Sequence, residues 1–276
     1  MTEVASRSSA AWRVLVTGAA GGIGRAICSA LLGEAQVRGL PLAIATAGSR
    51  PSAALDDLLA VLSQGGAQAR AVYGDLADAD ACGRLVDEAA RHLGGLDVLV
   101  SNAGVVRAGP LASLELTDWE RVFALDVRAT WLLAKAAYPL LARSRGAVVA
   151  IATVSATHPF PGLGAYSPAK AALTMLCRQL AQEWAADGIR VNSVSPGLIR
   201  TPLTEPVYRD TELLRRREAA VPLGRIGTPQ DVASAVAYLA SPAASYVTGV
   251  DLRVDGGLAD SVLGTVPGIP PSDRTR

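Results

Sequence analysis

The stretch "VLVTGAAGGIG", residues 14–24, decides the fold. An apolar, β-branched run ends at Thr17, and glycines follow at 18, 21, 22 and 24. Gly18, Gly22 and Gly24 keep a G-x-x-x-G-x-G spacing, with Gly21 and Ile23 between them. A turn this tight requires residues without a Cβ. Their absence lets backbone N–H groups and a helix N-terminus approach a pyrophosphate. Such a motif is weak alone and gains meaning only where a strand precedes it and a helix follows. A tight turn with no ligand is the competing account.

Outward from residues 14–24 the required context is present. Short runs rich in β-branched residues lie at 13–17, 40–46, 69–73, 96–101, 146–152, 189–194 and 250–254. Helical patterns fill the gaps, among them 80–93, 117–144 and 168–186. Alternation of this kind predicts an α/β fold: one Rossmann-type doubly wound parallel sheet of about seven strands, with helices on both faces. Residues 1–11 are expected to be a flexible N-terminus, 12–258 a single dinucleotide-binding and catalytic domain, and 259–276 a C-terminal tail.

The composition agrees. Half of the 276 residues are hydrophobic, which suits a buried parallel sheet. The formal net charge of +1 offers no attraction to nucleic acid or an anionic membrane. Cys28, Cys82 and Cys177 lie far apart and in no metal-ligand spacing, so free thiols are expected. The weakly polar stretch 14–32 is too rich in glycine for a membrane helix and is better explained as a phosphate turn than as a signal peptide. A cytoplasmic protein is the expectation. Of 26 basic residues only Lys135 and Lys170 are lysine.

Other strand ends carry polar residues. Asp75 and Leu76 follow the third run, where a carboxylate could accept from an adenine amino group or cap a helix. "SNAG" (101–104) follows the fourth, its small residues allowing close approach to a cofactor. The second run ends "IATAGSRPS" (44–52) with no carboxylate to hold a ribose 2′-hydroxyl. Thr46, Ser49 and Arg50 stand there instead. A guanidinium beside hydroxyls fits a 2′-phosphate, so NADP is expected over NAD. A solvated loop arginine is the alternative.

Tyr166 and Lys170 lie four apart, on one face of a helix predicted to start near Pro168. With six tyrosines and two lysines such a pair arises by chance in about 4% of shuffled sequences. An ammonium beside a phenol favours phenolate, which would bring the tyrosine toward proton exchange near neutral pH.

With these residues in hand, the chain resembles the compact, single-domain short-chain dehydrogenases/reductases, and most nearly the 3-oxoacyl-carrier-protein-reductase-like ketone reductases. "TGAAGGIG" (17–24), "DL" (75–76), "SNAG" (101–104), "YSPAK" (166–170), "VNSVSPGLIRT" (191–201) and the stretch 222–257 carry the likeness. It implies Tyr166 as acid/base and Lys170 as the residue that lowers the tyrosine pKa and holds the nicotinamide ribose. It places Asn102, Ala103 and Gly104 along the cofactor, and Pro196, Gly197, Ile199 and Thr201 around the nicotinamide carboxamide. The family's serine falls thirteen residues before the tyrosine, which here is Thr153. Ser155 would share its face on a strand and stays open as the alternative helper and substrate contact.

There are departures. Asp126 stands where the family usually has asparagine, in a kinked helix, and brings an anion toward Lys170. Ser101 replaces an asparagine. Gly21 stands where many NADP-preferring members carry a basic residue. The stretch 24–46 is several residues longer than usual. Residues 198–224 would form a mobile lid, with Tyr208 a candidate substrate contact. Arg215, Arg216 and Arg217 could steer an acidic substrate or present a solvated face. His158 and Phe160 are candidate pocket walls.

The expected activity is NADP-dependent reduction of a ketone, free or carrier-bound, by hydride transfer. An NAD-dependent alcohol dehydrogenase and a non-catalytic cofactor-binding scaffold are the alternatives. The resemblance also implies a homotetramer or homodimer built through the two long helices.

Overall fold

A computed structural model of the protein describes residues 11–261. In chain order the first half runs β1 (Trp12–Thr17), α1 (Gly22–Val37), β2 (Leu42–Gly48), α2 (Ala53–Gln64), β3 (Gln68–Tyr73), α3 (Ala79–Leu93) and β4 (Val98–Ser101). Next come α4 (Leu116–Phe123), α5 (Ala129–Ser144), β5 (Ala147–Ile151), α6 (Tyr166–Trp184) and β6 (Arg190–Pro196). The chain closes with α7 (Glu205–Tyr208), α8 (Thr211–Ala220), α9 (Pro229–Ala240) and β7 (Asp251–Val254). The expected flexible N-terminus, apart from its last residue, and residues 262–276 of the expected tail lie outside the described residues. Residues 258–260 close a 3₁₀ turn.

The seven strands form one sheet in the order β3-β2-β1-β4-β5-β6-β7, every pair parallel. Strand order reverses between β1 and β4. Because all strands run the same way, every turn that follows a strand emerges on one edge. The crevice at the reversal is the ligand position general to such sheets.

The elements follow from their residues. β4 reads "VLVS" and β5 "AVVAI", buried throughout, as strands covered on both faces must be. One core layer joins Val14, Val16, Ile27, Leu31 and Ile44 to Val232 and Val236 of α9. The other joins Leu15, Leu99 and Val148 to Leu85, Leu133 and Leu173 of the opposite helices. Asp78 caps α3, and Gly94 ends it in the left-handed conformation at φ 72°. Thr228 and Asp231 form a reciprocal cap on α9, with Pro229 at its first position. Cys28, Cys82 and Cys177 are buried free thiols.

Three sequence expectations change. The single helical pattern 117–144 is split by a π turn, Ala124–Arg128, which carries Asp126. The tyrosine helix begins at Tyr166 itself, so Pro168 takes its third position, where its missing N–H still has no intrahelical acceptor. β2 continues to Gly48, which buries Thr46 inside the strand with its hydroxyl on the Arg70 carbonyl, 3.2 Å. The extra length after Gly24 becomes the last turns of α1 and the turn at Gly39, φ 65°. There the Arg38 guanidinium stacks 4.7 Å from the Trp12 ring centre. Among the described residues no helix is long and apolar enough to cross a membrane.

Candidate active site

The glycine turn has the shape that its sequence requires. Gly18 takes φ 64°, and a Cβ there would lie 2.9 Å from the Ala103 Cα and from the Asn102 amide nitrogen. A Cβ on Gly24 would overlap the Gly18 carbonyl oxygen. The Gly21 N–H donates to that same oxygen at 3.2 Å and closes the turn. Gly22 lies against Thr201 and Pro202, so the segment that follows β6 touches the turn. Ile23 is half-buried and packs on the core.

Asn102 ties the end of β4 to this turn. Its amide donates to the carbonyls of Thr17 (3.1 Å) and Gly18 (3.0 Å). Thr17 answers: its fully buried hydroxyl accepts from the N–H groups of Asn102 (3.0 Å) and Ala103 (3.1 Å). The sequence places Thr17 at a strand end and at the head of "TGAAGGIG" but assigns it no role. A hydroxyl at a buried strand end directly before the glycines was the available signal.

Around this edge, Ser49 and Arg50 are exposed just beyond β2. Thr46 does not join them, because it points into the sheet. Asp75 caps neither helix nor open cleft. One oxygen accepts from the Ala77 N–H at 2.9 Å, the other lies 3.4 Å from Arg121, and Asp78 is the cap of α3. Leu76 is buried. Pro196 ends β6. Gly197 donates its N–H to Val254 at 3.0 Å, and a Cβ there would lie 2.7 Å from that of Asp255. Ile199 is buried, and Thr201 is held by Thr204, whose hydroxyl accepts from the Thr201 N–H at 2.8 Å.

Tyr166 and Lys170 project from the first turn of α6, the Lys170 Nζ 5.7 Å from the tyrosine ring centre. Lys170 is buried. Its Nζ donates to the Ile151 carbonyl at 2.7 Å and stands 2.9 Å from Asp126 Oδ1. Asp126 Oδ2 accepts from the Val105 N–H at 3.1 Å. Gly104 makes room for the pair: a Cβ there would sit 2.5 Å from Asp126 Oδ1. The Tyr166 hydroxyl is held above its ordinary pKa. Burial is the largest cause, Lys170 opposes it, Asp126 adds to it and the Thr153 hydroxyl opposes it. The lowering expected from Lys170 is therefore real but outweighed.

β5 stops at Ile151, so residues 153 and 155 do not share a strand face. Thr153 instead caps a 3₁₀ turn, Val154–Ala156. Its hydroxyl accepts from the Ser155 N–H and hydroxyl, both at 3.3 Å. Ser155 is buried behind it, while Thr153 is half-exposed on the tyrosine side. His158 is exposed and pairs with the Thr157 hydroxyl at 2.9 Å. Phe160 is also exposed. Tyr208, expected as a substrate contact, is buried instead, with the Arg217 guanidinium 5.7 Å from its ring centre. Ser101 is buried, its hydroxyl 2.7 Å from that of Thr130.

A half-buried phenol beside a buried ammonium, on the edge that carries a glycine cradle, is suited to proton exchange with a substrate oxygen next to a dinucleotide. Comparison with known proteins identifies the family. Residues 18–259 match the family described as enoyl-(acyl carrier protein) reductase. The chain is 39% identical to cis-4-hydroxycyclohexanecarboxylate dehydrogenase of Sinomonas cyclohexanicum, over 88% of this chain and 94% of that one. It is 35% identical to a 3-oxoacyl-[acyl-carrier-protein] reductase of Synechocystis, over 88% and 95%. A Beutenbergia cavernae chain solved with bound NADP at low occupancy superposes with a TM-score of 0.81 at 33% identity, over 91% of this chain and 98% of that one. The chain thus belongs to the short-chain dehydrogenase/reductase family and is an NAD(P)-dependent oxidoreductase.

Proposed function

We propose that the protein reduces a ketone to a secondary alcohol with NADPH, using Tyr166 as the proton donor. The observation that carries this reading is the grouping of Tyr166, Thr153 and Lys170 on the strand edge that holds the Gly18–Gly24 cradle. The glycines fit a dinucleotide: a Cβ at Gly18 or Gly24 would collide with Asn102, Ala103 or the Gly18 carbonyl, and only a turn this tight brings backbone N–H groups and a helix N-terminus to a pyrophosphate. Ser49 and Arg50 would hold a 2′-phosphate: both are exposed at the end of β2, and Arg50 has no ion-pair partner among the described residues. The cofactor, when bound, supplies the hydride.

The protein's own residues do the rest. Tyr166 donates its phenolic proton to the carbonyl oxygen as negative charge develops there. Thr153 Oγ1 donates a second hydrogen bond to that oxygen. It accepts from Ser155, which leaves its own hydrogen free to do so. Lys170, fixed by Ile151 and Asp126, keeps an ammonium near the phenol. Asp75, Leu76, Asn102, Ala103, Gly104, Pro196, Gly197, Ile199 and Thr201 would border the cofactor, and His158 and Phe160 the substrate mouth. Exposed Trp131 on α5 and Met175 on α6 are apolar surface of the kind that a homotetramer would cover.

The test is direct. Purified protein is titrated with NADPH and NADH, and cofactor oxidation is followed with alicyclic ketones and 3-oxoacyl thioesters, the classes nearest to those in the relatives' names. Turnover with NADPH preferred is the expected result. Tight NADPH binding without turnover on any ketone would overturn the reading in favour of a scaffold, and preference for NADH would overturn the cofactor assignment.

A further inference from the structure

Asp126 does more than neighbour Lys170. The two side chains form a buried ion pair at 2.9 Å, the carboxylate with no exposure and the ammonium with 5%. Among the described residues nothing else balances the carboxylate: its other oxygen meets only the neutral Val105 N–H. A cation this close to an anion presents to a third group a dipole rather than a full charge, and the field of a dipole falls off faster with distance. Tyr166, with its ring centre 5.7 Å from Nζ, is that third group.

We propose that Asp126 screens Lys170 from Tyr166 and so keeps the phenol in its protonated, proton-donating form into alkaline solution. The inference rests on Tyr166 being the proton donor, as proposed above.

The other surroundings leave the effect to this pair. Lys170 reaches the phenol from α6 and Asp126 from the π turn, and both act on it. Arg128, also on the π turn, is turned away to the Ala77 carbonyl. Thr153 contributes a neutral hydroxyl from the 3₁₀ turn. His158 lies outward on Thr157, close enough to Asp260 to act on it. Tyr208 and Arg217 are stacked on each other. Of the three N–H donors of the ammonium, one goes to the Ile151 carbonyl; Asp126 Oδ1 faces the ammonium as an ion pair without hydrogen-bond geometry, so the coupling between them is one of charge.

The experiment reads Tyr166 without substrate or cofactor. Tyrosinate absorbance is titrated in the protein and in Tyr166→Phe, and the difference isolates the one phenol. The same pair is measured in the Asp126→Asn background. The Tyr166 midpoint is expected above the ordinary value of about 10 in the unaltered protein. It is expected to fall by about one pH unit in Asp126→Asn, since the ammonium is then unscreened. The alkaline limb of ketone-reduction kcat/KM should fall by the same amount. An unchanged or rising midpoint would overturn the proposal, as would lost activity with an unmoved limb, which marks a merely structural residue. Should Asp126→Asn fail to fold, Asp126→Ser removes the same charge and is read in the same way. If Tyr166→Phe keeps full turnover, the proposed function fails instead, and the titration still reports the screening.

Discussion

Thr17→Val isolates the joint between the glycine turn and β4. The change is nearly isosteric and removes one buried hydroxyl. That oxygen accepts from the N–H groups of Asn102 and Ala103 at 3.0 and 3.1 Å, and both lose their partner. An unsatisfied buried donor costs about 1–3 kcal/mol. Asn102 and Ala103 are only partly buried, so the lower part of that range applies, about 1–2 kcal/mol each and about 2–4 together. At about 2–4 °C per kcal/mol for a chain of this size, the thermal midpoint should fall by about 4–16 °C. The freed amides would loosen the segment against which Gly18 is packed, so NADPH binding should weaken as well. Thr17→Ser keeps the acceptor and serves as the control. Differential scanning fluorimetry gives the midpoint, and quenching of protein fluorescence gives the cofactor Kd. A midpoint within about 1 °C of the unaltered protein, with unchanged Kd, would refute the claim that this hydroxyl holds the two ends together.

The remaining predictions concern chemistry. Tyr166→Phe should lower kcat by about 10²–10⁴-fold while leaving the NADPH Kd nearly unchanged, as stopped-flow and binding measurements would show. Arg50→Ala should raise the NADPH Kd by about 10–100-fold and leave the NADH value alone, the size expected for one lost charge-assisted contact; equal loss for both would place Arg50 away from the 2′-phosphate. Thr153→Val should reduce kcat strongly and Ser155→Ala mildly, because Ser155 lies behind Thr153. The reverse order in steady-state assays would make Ser155 the helper. Burial pushes the Cys28 and Cys177 thiols up to about 12, so at pH 8 neither should react with an alkylating reagent until the protein is unfolded, as intact-mass analysis would reveal.

What the sequence shows and what it hides divide along a physical line. The strand runs, the glycine turn and the Tyr166–Lys170 pair are local: each needs only the period of its own element or the absence of a Cβ. The parallel sheet then follows from strict alternation, and with it the placing of all the strand-end turns on one edge. What stays hidden is contact across crossovers. Thr17 meets Asn102 and Ala103 only after whole βα units have packed, whereas the approach of Asp126 to Lys170, equally distant in sequence, follows from the family resemblance. No periodicity records such distances. The end of β5 was misjudged for a related reason. "IATVSA" stays apolar and β-branched past Ile151, but at Thr153 the hydroxyl captures the Ser155 N–H and turns the chain into a 3₁₀ turn. Thr46 was misplaced because β2 gains two more register pairs with β3, as far as Gly48 opposite Tyr73.

The buried ion pair changes which residue best distinguishes an enzyme from a scaffold. In a chain with two lysines among 26 basic residues, the lysine at 170 reads from the sequence as a catalytic requirement. In the structure it has a second reason to be there. Asp126 is wholly buried, and removing one member of such a pair leaves an uncompensated charge at a cost of about 3–5 kcal/mol. Lys170 would therefore be needed for folding even if no reaction took place, and activity lost on replacing it would report stability as much as chemistry. Tyr166 carries no comparable structural duty. Among the described residues its hydroxyl makes no charged pair, and phenylalanine would fill the same space. A phenol held there, above its ordinary pKa and beside the Thr153 hydroxyl, fits the proposed proton donation better than a packing role. The weight of the catalytic assignment thus moves from the lysine to the tyrosine.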